Sequence, residues 1–286
     1  MSVEEALHRV RTETGLDLDG ARARLGFSRG HLLELVLLSS AFGSARDEQA
    51  LDAASLLVPY LIGEAAFDDW VGAVDVGPAP RGGSLRVLLD GATPPDPTLA
   101  LSDIGPAVEA AIRGVTAELP EAPYHALAER EEWTLLEAEP KLAGDYKAQD
   151  DLVLCSTLLP EAIKCFLQGS PFSSCRFSKH GERFVYAKVD GADGTMEARY
   201  ALRISLEEAL GAALAPSGLG CVVGAGIGVR YVYVVLALAS PEAGLEVACE
   251  ALRTLGISRR AWFLPCDSEH EGEWAPVWED SPNPPA

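Results

Sequence analysis

The sequence is poor in positive charge, and lysine in particular is scarce. Its 286 residues include 43 acidic side chains against 23 Lys and Arg, a formal net charge of −20, and lysine supplies only five of the basic residues. A field of that sign repels phosphate backbones and anionic lipid surfaces. The composition therefore disfavours nucleic-acid binding and membrane association, and it favours the attraction of positively charged partners.

Closely spaced cysteine pairs are also absent. All six cysteines lie in the second half of the chain, and no two of them are closer than ten positions. Zinc sites and disulfide scaffolds require tighter or more regular spacing. We therefore expect no metal and no cofactor, and we expect reduced thiols that mostly serve as small core residues: Cys155, Cys165, Cys175, Cys221, Cys249 and Cys266.

No hydrophobic run is long enough to cross a bilayer. The longest, Tyr231–Ala239, has about half the necessary length, and its β-branched residues and tyrosines indicate a buried strand. Residues 1–11 lack the basic and apolar regions of a secretory signal. These features predict a cytoplasmic protein.

The common catalytic motifs are missing as well. The sequence contains no G-x-S-x-G elbow, H-E-x-x-H pair, Walker loop or kinase motif. Gly224, Gly226 and Gly228 follow an apolar strand, but a phosphate-binding loop would need a helix directly after them. Residues 229–239 are instead β-branched and aromatic, so we interpret the glycines as part of a turn or bulge. Because catalytic triads are spatial arrangements, enzymatic activity stays undecided.

Hydrophobic periodicity predicts an α+β fold, in which a helical N-terminal part precedes an antiparallel or mixed sheet with helices on one face. Composition divides the chain into a helix-rich N-terminal region, residues 1–122, an α+β sheet region, residues 123–280, and a flexible tail, residues 281–286. The first boundary follows from two closely spaced prolines, Pro120 and Pro123.

Within the N-terminal region, apolar residues recur at helical spacing over residues 3–72. Ser28 is the predicted N-cap of one helix, and a strand over Leu35–Leu38 is the competing interpretation of the same segment. Proline- and glycine-rich sequence follows over 77–97, with a strand predicted at 84–89.

In the second half, strands alternate with helices. Gly220–Ile227 and Arg230–Ala239 are predicted to be neighbouring strands, because both are apolar and rich in β-branched residues. Proline in the first turn and glycine at the end predict one helix from Pro160 to Gly169 and another over Pro241–Leu255. Two aromatic-rich runs around His180-Gly181 predict a hairpin over Cys175–Lys188.

The most distinctive segment is residues 171–188, which carries a formal charge of +3 in a chain of −20. If this segment is a strand, alternate side chains share one face, which would combine arginine with hydroxyl groups. Such a face binds a phosphate or carboxylate through the bidentate guanidinium fork. The alternative is a hairpin whose exposed bases pair with surrounding acids. The candidate ligand-binding residues are Ser174, Arg176, Ser178, Lys179 and Arg183.

A second cluster, Cys266-Asp267-Ser268-Glu269-His270, gathers a thiol, two carboxylates and an imidazole within five residues. It has the residue types of a divalent-metal site or of a Cys/His nucleophile pair. The alternative is a polar surface loop between two strands, because neighbouring loop residues seldom converge on one point.

The leading functional hypothesis is an acidic protein-binding module, such as an immunity or inhibitor protein for a basic protein partner. Its basis is the negative charge, which steers basic proteins, together with five tryptophans available as contact anchors. The alternative is an enzyme or sensor that binds a small anionic ligand through residues 171–188. A third hypothesis is that the acidity serves solubility or high salt and has no partner. The oligomeric state stays open.

Overall fold

The structure is a computed structural model that describes residues 1–43, 48–79, 98–127, 133–141, 145–191 and 194–285. The chain divides into two compact units, Met1–Glu118 and Leu119–Ala286. Each unit combines helices with a mixed or antiparallel sheet, which confirms the predicted α+β class. The predicted strand at 84–89 lies outside the described residues.

The first unit packs helices against a small mixed sheet. Its described elements are α1 (Val3–Thr14), β1 (Arg22–Phe27), β2 (Leu33–Ser39), α2 (Glu48–Ile62), α3 (Glu64–Trp70), β3 (Val71–Pro78), β4 (Leu99–Ala100) and α4 (Leu101–Glu118). The strands lie in the order β3-β2-β1-β4, and β2 pairs with β3 in parallel while the other pairs are antiparallel. Apolar side chains from all of these helices form one core with the sheet.

Local signals set the boundaries of α1. The Ser2 hydroxyl accepts a hydrogen bond from the Glu5 amide at 3.2 Å, and the Glu5 carboxylate accepts one from the Ser2 amide at 2.9 Å. This reciprocal capping satisfies amides that have no partner inside the helix. Gly15 ends the helix in the left-handed conformation, with φ of 76°. The apolar stripe that the helical spacing predicts, Val3, Leu7 and Val10, faces the core: Val10 is fully buried, and Val3 and Leu7 are partly buried against it.

The predicted helix that begins at Ser28 is wrong, and the competing strand interpretation is confirmed. This segment forms β2, in which Leu33, Leu35 and Leu37 are buried. β2 lies between β1 and β3, so it has neighbours on both sides within the sheet. Apart from Glu34, residues 33–38 of this strand form an apolar run, which periodicity cannot distinguish from a buried helix.

The second unit is built on an antiparallel sheet of seven described strands. Its elements are β5 (Thr134–Glu137), β6 (Leu152–Thr157), α5 (Pro160–Gln168), β7 (Arg183–Asp190), α6 (Met196–Leu214), β8 (Gly220–Gly228), β9 (Tyr231–Leu238), α7 (Pro241–Leu255), β10 (Ala261–Pro265) and β11 (Ala275–Pro276). The strand order is β11-β10-β7-β9-β8-β6-β5. The central strands β8 and β9 are buried along their whole length.

The two faces of this sheet are covered differently. On one face, Val185 and Ala187 of β7 pack in a core with leucines of the long helices α6 and α7. On the other face, Phe184 and Tyr186 pack with the short helix α5 and with irregular segments. Side chains alternate between the faces because successive residues of a strand point in opposite directions. The second face, which has less helix over it, carries the cavity described below.

Most predicted elements of the second half are confirmed. β8 and β9 pair antiparallel, with a register shift between Val222 and Gly224, and no helix follows the glycines. Helices α5 and α7 both begin with proline and end at a left-handed glycine, as predicted. The predicted hairpin is wrong, because residues Ser174–Arg176 form a 3-10 turn and only its second half is the strand β7.

The last described residues lie against β10 within the second unit. The indole Nε1 of Trp262 donates to the carbonyl of Pro282, and the Ser281 hydroxyl donates to the carbonyl of Ala261 at 3.2 Å. These contacts hold the segment that the sequence predicts to be a flexible tail.

Among the described residues, no single helix has both the length and the apolar character needed to cross a membrane. The consecutive helices α2 and α3 meet the length and composition criteria together, with a bend of 113° between them.

Candidate functional site

A cavity of about 810 Å³ lies in the second unit, on the face of the sheet that carries Tyr186. Its size falls in the range of about 300–1,000 Å³ that is typical of ligand sites. Residues from four separated stretches line it: 139–152, 165–172, 264–274 and 283–285, together with Tyr186.

One wall of the cavity is aromatic. The ring of Phe172 stacks on Phe166 with centroids 5.3 Å apart, and on Phe177 with centroids 4.8 Å apart. Phe166 is half-buried and, like Phe172 and Trp274, contributes to the lining. Helix α5 positions Phe166, because its residues Ala162, Ile163 and Cys165 are buried against the core. Gly169, with φ of 66°, then ends the helix and lets the chain return toward Phe172.

Two cysteines of the cavity wall are poor nucleophiles. Cys165 and Cys266 both line the cavity, and burial raises the pKa of each thiol, that of Cys266 well above its ordinary value. A thiol with a raised pKa stays neutral at physiological pH and is a poor nucleophile. These two side chains therefore supply small apolar surface to the cavity.

The structure does not pair Cys266 with His270. The imidazole Nδ1 lies 3.1 Å from the Glu273 carboxylate, and Nε2 lies 3.3 Å from the Glu269 carboxylate. Asp267, from the same cluster, is buried and bonded elsewhere. Within the described part of the chain, no group of three or more His, Cys, Asp or Glu side chains is placed to hold a metal ion.

Two buried polar side chains of the lining can donate hydrogen bonds. Gln149 is 9% exposed, and its Nε2 atom has no partner among the described residues. Tyr186 is 5% exposed, and its ring meets Tyr233. Burial raises the pKa of Tyr186, so its hydroxyl is a neutral donor. An unsatisfied buried group costs about 1–3 kcal/mol, so the Gln149 amide favours a hydrogen-bonding molecule in the cavity.

The rim of the cavity is charged, with an excess of acids. Residues 261–286 contain six acidic residues and no lysine or arginine. Of these, Glu271 and Glu273 line the cavity and their side chains are 72% and 70% exposed. On the opposite stretch, Glu139 and Asp150 add two more carboxylates.

Two lysines also reach this rim, and each forms an ion pair there. Lys147 Nζ lies 3.3 Å from Glu271, and Lys141 Nζ lies 2.7 Å from Asp150. Both lysine side chains are more than half exposed. Exposed pairs of this kind contribute only about 0–1 kcal/mol, so an incoming cation can compete for the same carboxylates.

A buried network holds the stretch that carries Gln149. The carboxylate of Asp151 accepts hydrogen bonds from the backbone amides of Arg230, at 2.7 Å, and Tyr231, at 2.8 Å, and from the hydroxyl of Tyr233. Lys188 donates to the carbonyl of Tyr146 and lies 4.3 Å from the centroid of the Tyr231 ring. These bonds fix residues 146–151 against β7, β9 and the turn that precedes β9.

The side chains predicted to bind an anion are not brought onto one surface. Arg176 is fully buried and donates through Nη2 to the carbonyl of Pro171. The Ser174 hydroxyl donates to Asp267 at 2.6 Å, and the Ser178 hydroxyl donates to Glu182 at 2.8 Å. The shared strand face is therefore wrong for these three residues, because Ser174 and Arg176 lie in a 3-10 turn.

The other two predicted residues form ion pairs at the surface. Lys179 Nζ lies 2.8 Å from Glu121. Arg183 is 47% exposed and lies 3.5 Å from Asp267 and 3.4 Å from Glu269. This arrangement matches the alternative in which the bases of residues 171–188 pair with surrounding acids. Binding of a small anion by the segment stays a prediction.

Sequence reasoning missed most of the lining residues of the cavity. Gln149, Tyr186, Phe166 and Trp274 come from separate parts of the chain, and their convergence depends on the order of strands in the sheet. Two signals were available in the sequence: the cluster 266–270, of which four residues line the cavity, and the run of acids without bases after Arg260.

Comparisons of the chain with protein-family models, curated proteins and solved structures find no match. The geometry and charge of the cavity therefore carry the functional argument.

Proposed function

We propose that this chain is an acidic binding module for a basic protein partner, and that the partner docks at the acid-rimmed cavity of the second unit. The observation that carries the proposal is the combination of an aromatic wall with exposed carboxylates at one rim. Protein interfaces obtain most of their affinity from apolar and aromatic anchors, and charge complementarity adds association rate and specificity.

The charge of the whole chain supports the same proposal. With a net charge of −20, the protein attracts cations over distances larger than a contact, and clefts lined by one sign of charge concentrate that field. The titratable groups at the mouth are carboxylates, two paired lysines and a paired histidine. This set suits recognition of positive charge. An inhibitor or immunity protein for a basic partner uses its charge in this way.

A calorimetric titration tests the proposal. The probe is a seven-residue peptide, blocked at both ends, in which four lysines alternate with glycines. We expect binding at low salt that weakens as salt increases, because screening shortens the reach of exposed charges. The double variant Glu271→Gln/Glu273→Gln should weaken binding about tenfold, since each exposed carboxylate contributes up to about 1 kcal/mol.

A matched control separates the cavity from the general field of the protein. Glu109 and Glu118 are exposed acids on α4 in the first unit. The variant Glu109→Gln/Glu118→Gln changes the net charge by the same amount, and we expect it to weaken binding less than twofold. Equal weakening by the two double variants, or no binding of the peptide at low salt, would contradict docking at the cavity.

A further inference from the structure

Resting on the proposed function, we infer that the basic partner inserts an extended stretch of its main chain into the cavity. A neutral peptide group lies at the base, bonded to Gln149 and Tyr186, and the basic side chains of the stretch stay at the rim. The juxtaposition that carries the inference is that two buried, neutral donors and the exposed carboxylates of Glu271 and Glu273 line the same cavity.

The base of the cavity matches a carbonyl oxygen. The Nε2 of Gln149 is a buried donor without a partner among the described residues, and Tyr186, 5% exposed, carries a second neutral donor in the lining. A backbone carbonyl has two lone pairs and no charge, so it can accept from both groups. A cation placed there would lose its hydration and find two neutral partners, which is unfavourable.

The rim matches positive charge, because its carboxylates are exposed while the donors of the base are buried. Glu271 and Glu273 are exposed to solvent, so a cation that pairs with them keeps most of its hydration. Long lysine and arginine side chains reach outward from a buried main chain in this manner. A carboxylate or phosphate ligand would meet like charge at the rim and is therefore disfavoured.

The walls fit the remainder of a peptide. Phe166, Phe172 and Trp274 offer aromatic surface, and Cys165 and Cys266 are neutral at physiological pH. A volume of about 810 Å³ is large enough for several residues of an extended chain. Small molecules that carry only charge would leave this surface and the donors at the base unused.

The experiment compares the lysine and glycine peptide with spermine, a polyamine that has four positive charges and no amide. The variants are Tyr186→Phe and Gln149→Leu, which remove the two donors and retain most of the side-chain volume. We expect the wild type to bind the peptide at least tenfold more tightly than spermine. Each variant should weaken the peptide about fivefold and leave spermine unchanged.

Urea denaturation shows whether each variant is as stably folded as the wild type. Because Tyr186→Phe keeps the buried ring and its contact with Tyr233, it should unfold at nearly the same urea concentration as the wild type. Equal affinities for peptide and spermine, unchanged by either variant, would overturn the inference. The proposed function would still stand in that case if binding of the peptide depends on Glu271 and Glu273. Absence of binding by both probes would overturn both. Tight binding of an uncharged peptide of the same length, unaffected by the rim variants, would contradict the role of charge in the proposed function and in the inference.

Discussion

The carboxylate of Asp151 occupies the space that a side chain at residue 228 would need. A Cβ atom on Gly228 would lie less than 3.0 Å from the Asp151 oxygens, a distance that real Cβ contacts essentially never show. The carboxylate lies there because it accepts two backbone amides of the turn between β8 and β9. Residue 228 must therefore be glycine for Asp151 to bind the turn between β8 and β9.

The substitution Gly228→Ala tests this relationship. We expect it to lower the free energy of unfolding by about 2–4 kcal/mol, because the methyl group displaces a buried, hydrogen-bonded carboxylate. Gly211→Ala in α6 is the control, since a Cβ at Gly211 meets no atom within 4 Å. In a helix interior that change should raise stability by about 0.5–1 kcal/mol. Urea denaturation measures both, and similar effects of the two substitutions would contradict the close approach at Gly228.

Lys188 makes stability depend on pH in a defined direction. Burial lowers the pKa of Lys188 to about 8, against an ordinary value of 10.5, although Asp151 and Asp145 partly oppose the shift. Between these two values the unfolded chain binds more protons at this residue than the folded chain. The contribution of Lys188 to the free energy of unfolding therefore rises with pH from about 8 to 10.5, and below about 8 the full cost of the buried charge remains.

We expect the difference in stability between the wild type and Lys188→Met to shift in favour of the wild type by up to about 3 kcal/mol across this range. Urea denaturation of both proteins at several pH values measures it. The comparison cancels the raised pKa of Tyr186 and Tyr233, which both proteins retain. A difference that stays constant from pH 7 to 10 would show that Lys188 does not change its pKa on folding.

Local patterns predict the elements whose signals are short-range. Strands β8 and β9 follow from their apolar, β-branched runs, and α7 follows from Pro241 at its start and Gly256, with φ of 72°, at its end. The sequence predicts a helix at strand β2 because, apart from Glu34, its residues 33–38 form an apolar run without strict alternation. For such a segment, tertiary contacts determine whether it forms a helix or a strand, and its own sequence does not identify those contacts.

The site depends almost entirely on long-range contacts. Ser174 was predicted to face a ligand, but its hydroxyl bonds to Asp267, 93 positions away. No pattern in the sequence around Gln149 indicates that this residue lines a cavity. Charge is the exception, because four acids occupy alternate positions over 267–273 and three of them line the cavity.

Cysteine reactivity should single out Cys175. It is the exposed cysteine of the chain, and the other five are buried. Burial raises the pKa of Cys155 to about 11 and also raises the pKa of Cys165, Cys249 and Cys266. We expect one thiol to react rapidly with a maleimide in the native protein and six in urea. Mass spectrometry identifies the sites, and Cys175→Ser should remove the rapid reaction. Rapid labelling of Cys266 would instead indicate that the cavity wall opens.

Asp267 and Arg183 allow the predicted anion site to be tested by stability. Asp267 is buried, and it accepts from the Ser174 amide and from the Ser174 hydroxyl, each at 2.6 Å. Asp267→Ala leaves these buried donors without their acceptor, so we expect a loss of about 2–4 kcal/mol in the free energy of unfolding. Arg183→Gln removes only a partly exposed guanidinium, 3.5 Å from Asp267, and should cost less than about 1 kcal/mol.

If the bases of residues 171–188 serve only as partners for acids, phosphate and carboxylate compounds should not raise the melting temperature of the wild type. A compound that stabilises the wild type, but not Arg183→Gln, would instead establish the anion-binding role predicted from the sequence, since a bidentate arginine contact would then be lost.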